Sequence, residues 1–302
     1  MDSKYNLTIS DIDTNVSRFL TYIYGTAIRS QNPVVNFIVA GPGAGKTGVE
    51  MSIRNELNDS GEKTSSISSD KIAEFHPNYE ELKEQDPLTC YTLTRKFVRP
   101  AAPKIYGELI KNKVNITSEQ TFDKGQDDFD FVETFKKGGY KVNINIIATD
   151  ILISRLSCYE REALMLQVGE TPRAISDVLQ EKMYNSFISE IKELQKLGMI
   201  DDLRVYTRGK SINKPNLVYG KDCTSYQSFE EAIHAERQKQ RDEIISNPIS
   251  YLKKLNETRN SIKENGVNEF LTKNAVEGLN KLEKELYILL SQQQNPNNEG
   301  RE

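Results

Sequence analysis

The string Ala40-Gly41-Pro42-Gly43-Ala44-Gly45-Lys46-Thr47 is the stretch of this chain best suited to chemistry. A loop of small residues ending in Lys-Thr can wrap a polyphosphate, because successive backbone N–H groups and the N-terminus of a following helix all face the phosphate oxygens. Gly41, Pro42, Gly43, Ala44 and Gly45 would form the cradle, with Gly41 and Gly43 keeping it permissive. Lys46 would neutralise charge that shifts toward the bridging oxygen, and the Thr47 hydroxyl would bind Mg²⁺. Loops of this kind usually open with glycine, and here Ala40 takes that place. The competing reading is a glycine-rich turn with a chance Lys-Thr pair. The flanking segments weigh against it.

Three further groups could serve an acceptor. Ser68-Ser69-Asp70 follows a strand-like run, and in an open α/β sheet ligands bind beyond the carboxyl ends of the strands. Asp70 there can orient an acceptor hydroxyl and take its proton during phosphoryl transfer. It would serve equally as the N-cap of a helix starting at Lys71. Glu119 and Thr121 end another strand-like run, where they could meet Mg²⁺-bound water or the acceptor. Arg161 and Arg173 flank the turn Val168-Gly169-Glu170-Thr171-Pro172. Arginines on a helix–turn–helix lid can close over a γ-phosphate and stabilise transition-state charge. Two solvated arginines on helix surfaces would look the same in sequence.

These residues need elements to hold them. The run 34–40 is short, β-branched and nearly continuous in apolar character, as expected of a central strand in a parallel sheet. Residues 46–57 follow as helix, so strand and helix both stand where a phosphate loop requires them. Further strands are expected at 63–68, 113–118, 141–148 and 203–206. Helices are expected at 10–29, with Ser10 and Asp11 as caps, and at 78–84, 91–111, 126–138, 150–167 and 172–197. The alternation predicts an α/β fold, a central mostly parallel sheet wrapped by helices. Beyond 212 the pattern changes to a loop or hairpin remnant (213–224) and three helices, at 228–246, 248–264 and 267–292. The last carries the stripe Leu271, Ala275, Leu279, Leu282, Leu286 and Leu289. The domain reading is therefore 1–212 for the α/β unit, 213–292 for a helical C-terminal extension, and 293–302 for a Gln/Asn-rich tail expected to be disordered.

Composition excludes several classes. The net charge is −4, from 40 basic and 44 acidic residues, which gives no sign of a nucleic-acid face. No apolar run approaches membrane-spanning length and residues 1–8 are polar, so a cytoplasmic location is expected. The three cysteines (Cys90, Cys158, Cys223) are isolated, and two histidines are too few for a histidine-based zinc site. General-base chemistry then falls to a carboxylate. A GTPase would carry Asn-Lys-x-Asp, and the nearest string, Asn213-Lys214-Pro215-Asn216, lacks the aspartate.

Several of these strings together resemble the zeta toxin family, bacterial P-loop kinases of toxin–antitoxin systems. The resemblance covers about residues 30–210. It rests on Gly-x-Gly-Lys-Thr after a strand, Ser69-Asp70-Lys71 running on to His76-Pro77-Asn78-Tyr79-Glu80-Glu81-Leu82, and Ser118-Glu119-Gln120-Thr121. It continues through Lys137-Gly138-Gly139-Tyr140, Ser154-Arg155-Leu156 with Arg161, Thr171-Pro172-Arg173, and Asp202-Leu203-Arg204-Val205-Tyr206. The resemblance implies ATP and Mg²⁺ at Lys46 and Thr47, Asp70 as catalytic base, and acceptor or metal positions at Glu119 and Thr121. Arg161 and Arg173 would be the lid arginines. It further implies an alcohol-group phosphotransferase acting on the 3′-hydroxyl of the amino sugar of UDP-N-acetylglucosamine, with an antitoxin as a further partner.

The acceptor side departs from the family pattern. Gln120 stands where the family usually has glycine, and Phe122-Asp123 follow without the usual arginine. Pro100-Ala101-Ala102-Pro103-Lys104 holds no acid where the family offers one to the substrate. Two other readings stay open: a related small-molecule or polynucleotide kinase with another hydroxyl acceptor, and a non-catalytic nucleotide-binding module that engages a protein partner.

Overall fold

The computed structural model describes residues 5–294 except 6, 26, 86, 171, 173–176, 210–213, 224 and 267, with backbone alone at 87–89, 91, 177, 179 and 294. The chain begins with α1 (Ile9–Tyr24), β1 (Val34–Val39), α2 (Lys46–Asp59), β2 (Ser65–Ile67), α3 (Ser69–Ala73), α4 (Tyr79–Gln85) and α5 (Pro87–Lys111). It continues with β3 (Ile116–Gln120), α6 (Gln126–Lys137), β4 (Lys141–Ile147), α7 (Ile151–Gln167), α8 (Asp177–Asn185) and α9 (Phe187–Lys196). The last elements are β5 (Asp202–Thr207), β6 (Asn216–Tyr219), α10 (Phe229–Ser246), α11 (Pro248–Asn265) and α12 (Glu269–Gln294).

The six strands form one sheet in the order β2-β3-β1-β4-β5-β6, parallel except for β6, which runs antiparallel to β5. β1 lies inside the sheet, and its Val35, Phe37, Ile38 and Val39 are fully buried. A strand covered on both faces can carry such an unbroken apolar run. On one face Phe37 meets Phe122, Phe131 and Phe135 edge-on or tilted, with centroids 5.4–5.6 Å away. On the other face Ile38, Ile147 and Tyr206 pack under Val49 and Ile53 of α2. Because β1 to β5 are parallel, their carboxyl ends emerge on one edge, and the loops that follow them share that edge.

Several local expectations change. The cap of α1 is Thr8, in a reciprocal bond with Asp11: the Asp11 N–H donates to Thr8 Oγ1 at 3.2 Å and the Thr8 N–H to Asp11 Oδ2 at 2.9 Å. The helix expected at 172–197 is two helices within its described part, parted at Ser186. α12 runs on through Gln294, and 295–302 lie outside the described residues. β5 and β6, which lie on either side of the expected boundary at 212/213, pair with each other. α10 beyond that boundary places Phe229, Ala232 and Ile233 in the same core as the sheet.

The apolar stripe of the last helix has a definite neighbour. Ala275, Leu279, Leu282 and Leu286 of α12 join Tyr251, Leu255 and Ile262 of α11, and this layer packs on Leu152, Leu156, Tyr159 and Ala163 of α7. Gly278 lets the helices approach, since a Cβ there would lie 1.8 Å from the Tyr159 hydroxyl. Tyr251 donates to the Leu152 carbonyl at 2.9 Å, and Arg155 Nη1 reaches Glu285 at 2.9 Å. Leu279→Ala should therefore leave a cavity and destabilise the chain by about 2–5 kcal/mol, the usual range for a fully buried leucine. Urea denaturation would register this as a lower midpoint at unchanged slope. An unchanged midpoint would mean that this layer contributes nothing to the fold.

Candidate active site

A cleft of about 620 Å³ opens at the carboxyl edge of the sheet. All five parallel strands supply its wall: Pro42–Val49 after β1, Ser68–Asp70 after β2, Glu119–Thr121 at the end of β3, Ile147 of β4, and Thr207–Gly209 at the end of β5. Ser157 and Arg161 of α7 and Met183 of α8 close another side. The structure thus brings together Pro42, Gly43, Ala44, Gly45, Lys46, Thr47, Asp70, Glu119, Thr121 and Arg161. Gly41 lies just behind, its carbonyl 3.1 Å from Lys46 Nζ. Arg173 falls outside the described residues. No residue from α10, α11 or α12 lines the cleft among those described.

The loop between β1 and α2 takes its shape from glycine and from bonds to its carbonyls. Gly43 has φ +73° and Gly45 φ +102°, left-handed conformations that L side chains adopt only under strain. Gly43 also touches α7, where a Cβ would come 2.1 Å from the Ser154 carbonyl. Lys46 Nζ donates to the carbonyls of Ala40 (3.5 Å) and Gly41 (3.1 Å), and Ser154 Oγ to that of Pro42 at 2.5 Å. Thr149 Oγ1 donates to Ala44 O at 2.9 Å. Arg208 donates to the carbonyls of Gly43 and, at 3.2 Å, Ala44. With the carbonyls held this way, the loop's N–H groups and the start of α2 remain to meet an anion.

The cations and carboxylates of the cleft stand opposite one another. Lys46 Nζ lies 3.7 Å from Glu119 Oε2, a contact that a phosphate would compete for. Asp70 sits in the first turn of α3. The N-cap there is Ser68, whose hydroxyl accepts the Lys71 N–H at 3.1 Å, so capping does not account for Asp70. Arg161 is exposed on α7 at the cleft wall. Thr47, Asp70 and Glu119 are hard oxygen donors of the sort Mg²⁺ takes, alongside phosphate oxygens and water. Among the described residues no group of three or more His, Cys, Asp or Glu could hold a metal unaided. A Mg²⁺ ion here would need a nucleotide's phosphate oxygens and water beside these donors, and Thr47 is the residue a phosphate loop would offer it.

The β3 end of the cleft is built from within. Tyr106 and Ser118 share a buried 2.6 Å hydrogen bond, and Gln120 donates to Ser118 at 2.9 Å and to Tyr106 at 3.4 Å. Burial pushes the Tyr106 phenol up to about 12. Phe122 holds φ +45°, an unfavourable value for a large residue, and its buried ring packs on Phe37. Thr121 donates to Asp123 at 2.6 Å, and Asp123 pairs with Lys182 of α8 at 3.4 Å. Burial raises Asp123, but Thr121 and Lys182 outweigh it and hold the carboxyl below its ordinary value. The segment 100–104 does not reach the cleft: Ala101 is in the core and Lys104 pairs with Asp13 of α1. His76 also has a local role, since its Nδ1 accepts the Asn78 N–H at 3.1 Å and its ring stacks edge-on against Phe97.

Sequence reasoning missed Thr149, Ser154, Ser157 and Arg208. Ser154 stood in a family-like string without a role of its own and the other three in no motif, and each acts through side-chain bonds to the loop or cleft. Only their places, after β4, on α7 and after β5, mark them, since strand ends on that edge are where a site must be.

The model of the family described as Zeta toxin matches residues 22–219. The chain belongs to the zeta toxin family. Among solved structures, a chain of the PezAT chromosomal toxin–antitoxin system of Streptococcus pneumoniae aligns with TM-score 0.61 and 19% identity, over 80% of this chain and 98% of that one. The AvrRxo1-ORF1:AvrRxo1-ORF2 complex aligns in its native form and in its form with ATP, each with TM-score 0.51 and 13% identity, over 90% of this chain and 82% of that one. At such identities the likeness is one of fold, the P-loop kinase fold with its mostly parallel sheet. No curated protein matches the chain. The zeta toxin match ends at Tyr219, the last residue of β6, and leaves α10–α12 outside it.

One pH dependence follows from the loop after β3. Its backbone is held by two carboxyls, with the Lys124 N–H donating to Asp128 at 2.8 Å and the Gly125 N–H to Glu190 of α9 at 3.1 Å. Burial and a hydrogen bond shared with Asp128 push Glu190 up to about 7, with Asp123 adding repulsion. A carboxyl raised in the fold stabilises it fully below its ordinary value near 4.5, and that contribution is lost as pH rises through about 7. Glu162, raised to about 7 by burial, acts in the same direction, and His76, lowered by burial, acts in the opposite one. The informative quantity is therefore the difference between Glu190→Gln and wild type. The variant should gain in melting temperature relative to wild type between pH 5 and pH 8. A difference that does not change with pH would show that the Glu190 carboxyl is not raised in the fold.

Proposed function

We propose that this chain is a kinase that transfers the γ-phosphoryl group of ATP to a hydroxyl of a nucleotide sugar, UDP-N-acetylglucosamine being the first choice. We further propose that it is the toxin of a toxin–antitoxin pair in the cytoplasm, with an antitoxin as its protein partner. One observation carries the reading: a phosphate loop and a carboxylate without a capping duty, Asp70, line the same cleft as an exposed arginine, Arg161. Membership of the zeta toxin family supports the same reaction class. By analogy, the PezAT toxin–antitoxin system supports an antitoxin partner and the AvrRxo1 complex with ATP supports ATP. No helix among the described residues is long and apolar enough to cross a membrane.

In the proposed reaction the loop N–H groups and Lys46 bind the β- and γ-phosphates. Asp70 orients the acceptor hydroxyl and takes its proton as oxygen bonds to the γ-phosphorus. The bond from that phosphorus to the β–γ bridging oxygen breaks, and ADP departs with the electron pair. Lys46 and Arg161 stabilise charge that accumulates on the equatorial and leaving oxygens. Arg173 is assigned a matching role. Mg²⁺, held by Thr47 and the phosphates, would neutralise charge at the β–γ bridge. Glu119 and Thr121 are assigned to acceptor or metal-bound water. In this reading 1–212 does the chemistry and 213–292 supports it.

A second acceptor is favoured by Gln120. Its amide is engaged by Ser118 and Tyr106, so the β3 end presents a different surface from the family's glycine. Incubation with ATP, Mg²⁺ and a panel of UDP-sugars, read by mass for ADP and phosphorylated sugar, decides the acceptor. A product from UDP-N-acetylglucosamine would support the first choice. Turnover only with another hydroxyl compound would support the second.

The residues are tested on the same assay. Lys46→Ala should abolish transfer. Asp70→Asn should bind ATP nearly as wild type while losing about 10²–10⁴-fold in rate, the usual range for a general base. Arg161→Ala should lose about 10³-fold or more, as arginine fingers do. An Asp70→Asn variant with full turnover, or wild type with ATP binding and no turnover on any acceptor, would point to a nucleotide-binding module instead.

A further inference from the structure

Arg208 is the first residue after β5, and its side chain reaches across to the phosphate loop. Nε donates to the Ala44 carbonyl at 3.2 Å, Nη1 to Ser157 Oγ at 2.8 Å, and Nη2 to the Gly43 carbonyl. All three acceptors are neutral. Among the described residues no carboxylate lies within 4.0 Å of it, whereas Arg155, Arg204, Arg241 and Arg259 each have one. Arg237 also has neutral partners, the Tyr184 carbonyl and Asn185, but lies outside the cleft on α10. Burial pulls the Arg208 pKa down, with Glu160 and Cys158 only partly offsetting it. The side chain nonetheless stays exposed at the cleft wall, so an anion entering the cleft would meet its guanidinium.

The position of Arg208 is as telling as its charge. Gly43 and Gly45 leave the loop free to adopt many conformations, and its N–H groups converge on a phosphate only if the peptide planes between them are fixed. The Pro42 and Ala44 carbonyls have neutral hydroxyl donors in Ser154 and Thr149. The Gly43 carbonyl has Arg208. The fork of the guanidinium spans consecutive carbonyls while its third arm rests on α7, a geometry that a lysine ammonium on its single stem does not reproduce.

Building on the kinase reading above, we propose that Arg208 is a positioning residue of the phosphate loop. It fixes the Gly43 and Ala44 peptides so that their N–H groups face the nucleotide, and the bound polyphosphate supplies the negative charge that Arg208 lacks in the free protein. The ligand class is a nucleoside di- or triphosphate, and a ligand without phosphates gains nothing from it.

The test measures ATP and ADP affinity with Mg²⁺ by calorimetry, and adenosine by ligand-observed NMR, for wild type, Lys46→Ala, Arg208→Gln and Arg208→Lys. The melting temperature without nucleotide is recorded alongside. Arg208→Gln should weaken ATP and ADP by about tenfold or more, the size of a lost charge-assisted contact, and leave adenosine unchanged. Arg208→Lys should not restore the affinity. Wild-type affinity in Arg208→Gln, with loss in Lys46→Ala, would overturn this inference and leave the kinase reading standing. Recovery in Arg208→Lys would overturn the positioning role, since charge alone would then suffice. Equal weakening of all three ligands with a lowered melting temperature would reduce Arg208 to a structural part. If Arg208→Gln does not fold, Arg208→Lys must show the phosphate-dependent loss at an unchanged melting temperature, and otherwise the inference fails. A wild-type protein that binds no ATP would overturn the kinase reading and this inference together.

Discussion

The chain must pass from β1 into α2 through a loop in which every carbonyl from Ala40 to Ala44 accepts from a side chain. A peptide carbonyl facing a phosphate would repel it, so each must be given a donor elsewhere. Lys46 serves those of Ala40 and Gly41, Ser154 that of Pro42, Arg208 that of Gly43, and Thr149 and Arg208 that of Ala44. Apart from Lys46, these donors come from the end of β4, from α7 and from the end of β5. The loop is therefore shaped by a part of the fold far from it in sequence, and its geometry cannot be better defined than that of the β4–α7 turn.

The β4–α7 turn is in turn held from the C-terminal side. Asp150 caps α7, accepting the Leu152 N–H at 2.9 Å, and pairs with Arg241 of α10 at 2.8 Å. Gln240 of the same helix accepts the Asp150 N–H at 3.0 Å and donates to the Ala148 carbonyl at 2.8 Å. At 3.6 residues per turn, Ser154, Ser157, Cys158 and Arg161 share one face of α7, and Leu152, Leu156, Tyr159 and Ala163 share the opposite one. The first face meets the loop and the cleft, and the second meets α11 and α12. A helix presenting charged and polar groups to a ligand needs its other side anchored. The extension beyond the family match supplies that anchor without entering the cleft. Arg155 ties the same helix to Glu181 of α8 at 2.6 Å and to Glu285 of α12 at 2.9 Å, so α8 and the extension share one buried guanidinium.

Parts of the fold governed by local rules were legible in sequence. The continuous apolar run of β1, the glycines after it and the helix that follows satisfy one another within about twenty residues, and so mark the phosphate loop unaided. Asp70 was legible as a position but not as a role, because a side chain in the first turn of a helix has two possible duties. Only the Ser68 hydroxyl on the Lys71 N–H settles which residue caps. Caps elsewhere were misplaced for the same reason, as at Thr8, where several serines, threonines and aspartates compete within four residues. The break at Ser186 left no trace because the apolar spacing of α8 continues into α9. Arg208 was invisible because a lone arginine after a strand carries no pattern. Its meaning lies in distances to Gly43, Ala44 and Ser157, which are 165, 164 and 51 residues away.

The two sides of the cleft are built on different principles, and this bears on how one fold can keep ATP while changing its acceptor. On the phosphate side the ligand-facing groups belong largely to the backbone. A substitution acts there mainly by altering φ, as at Gly43, or by removing a donor to a carbonyl. Tolerance there is therefore low. On the acceptor side Glu119 and Thr121 face the cleft as side chains. Their placement comes from groups buried behind them: the Tyr106–Ser118–Gln120 hydrogen bonds, the strained Phe122 against Phe37, and the Asp128 and Glu190 carboxyls beneath the loop. Side chains on such a base can be exchanged without disturbing the phosphates. Gln120, with its amide drawn into that buried set, lines the cleft apart from Lys46, Thr47 and the loop.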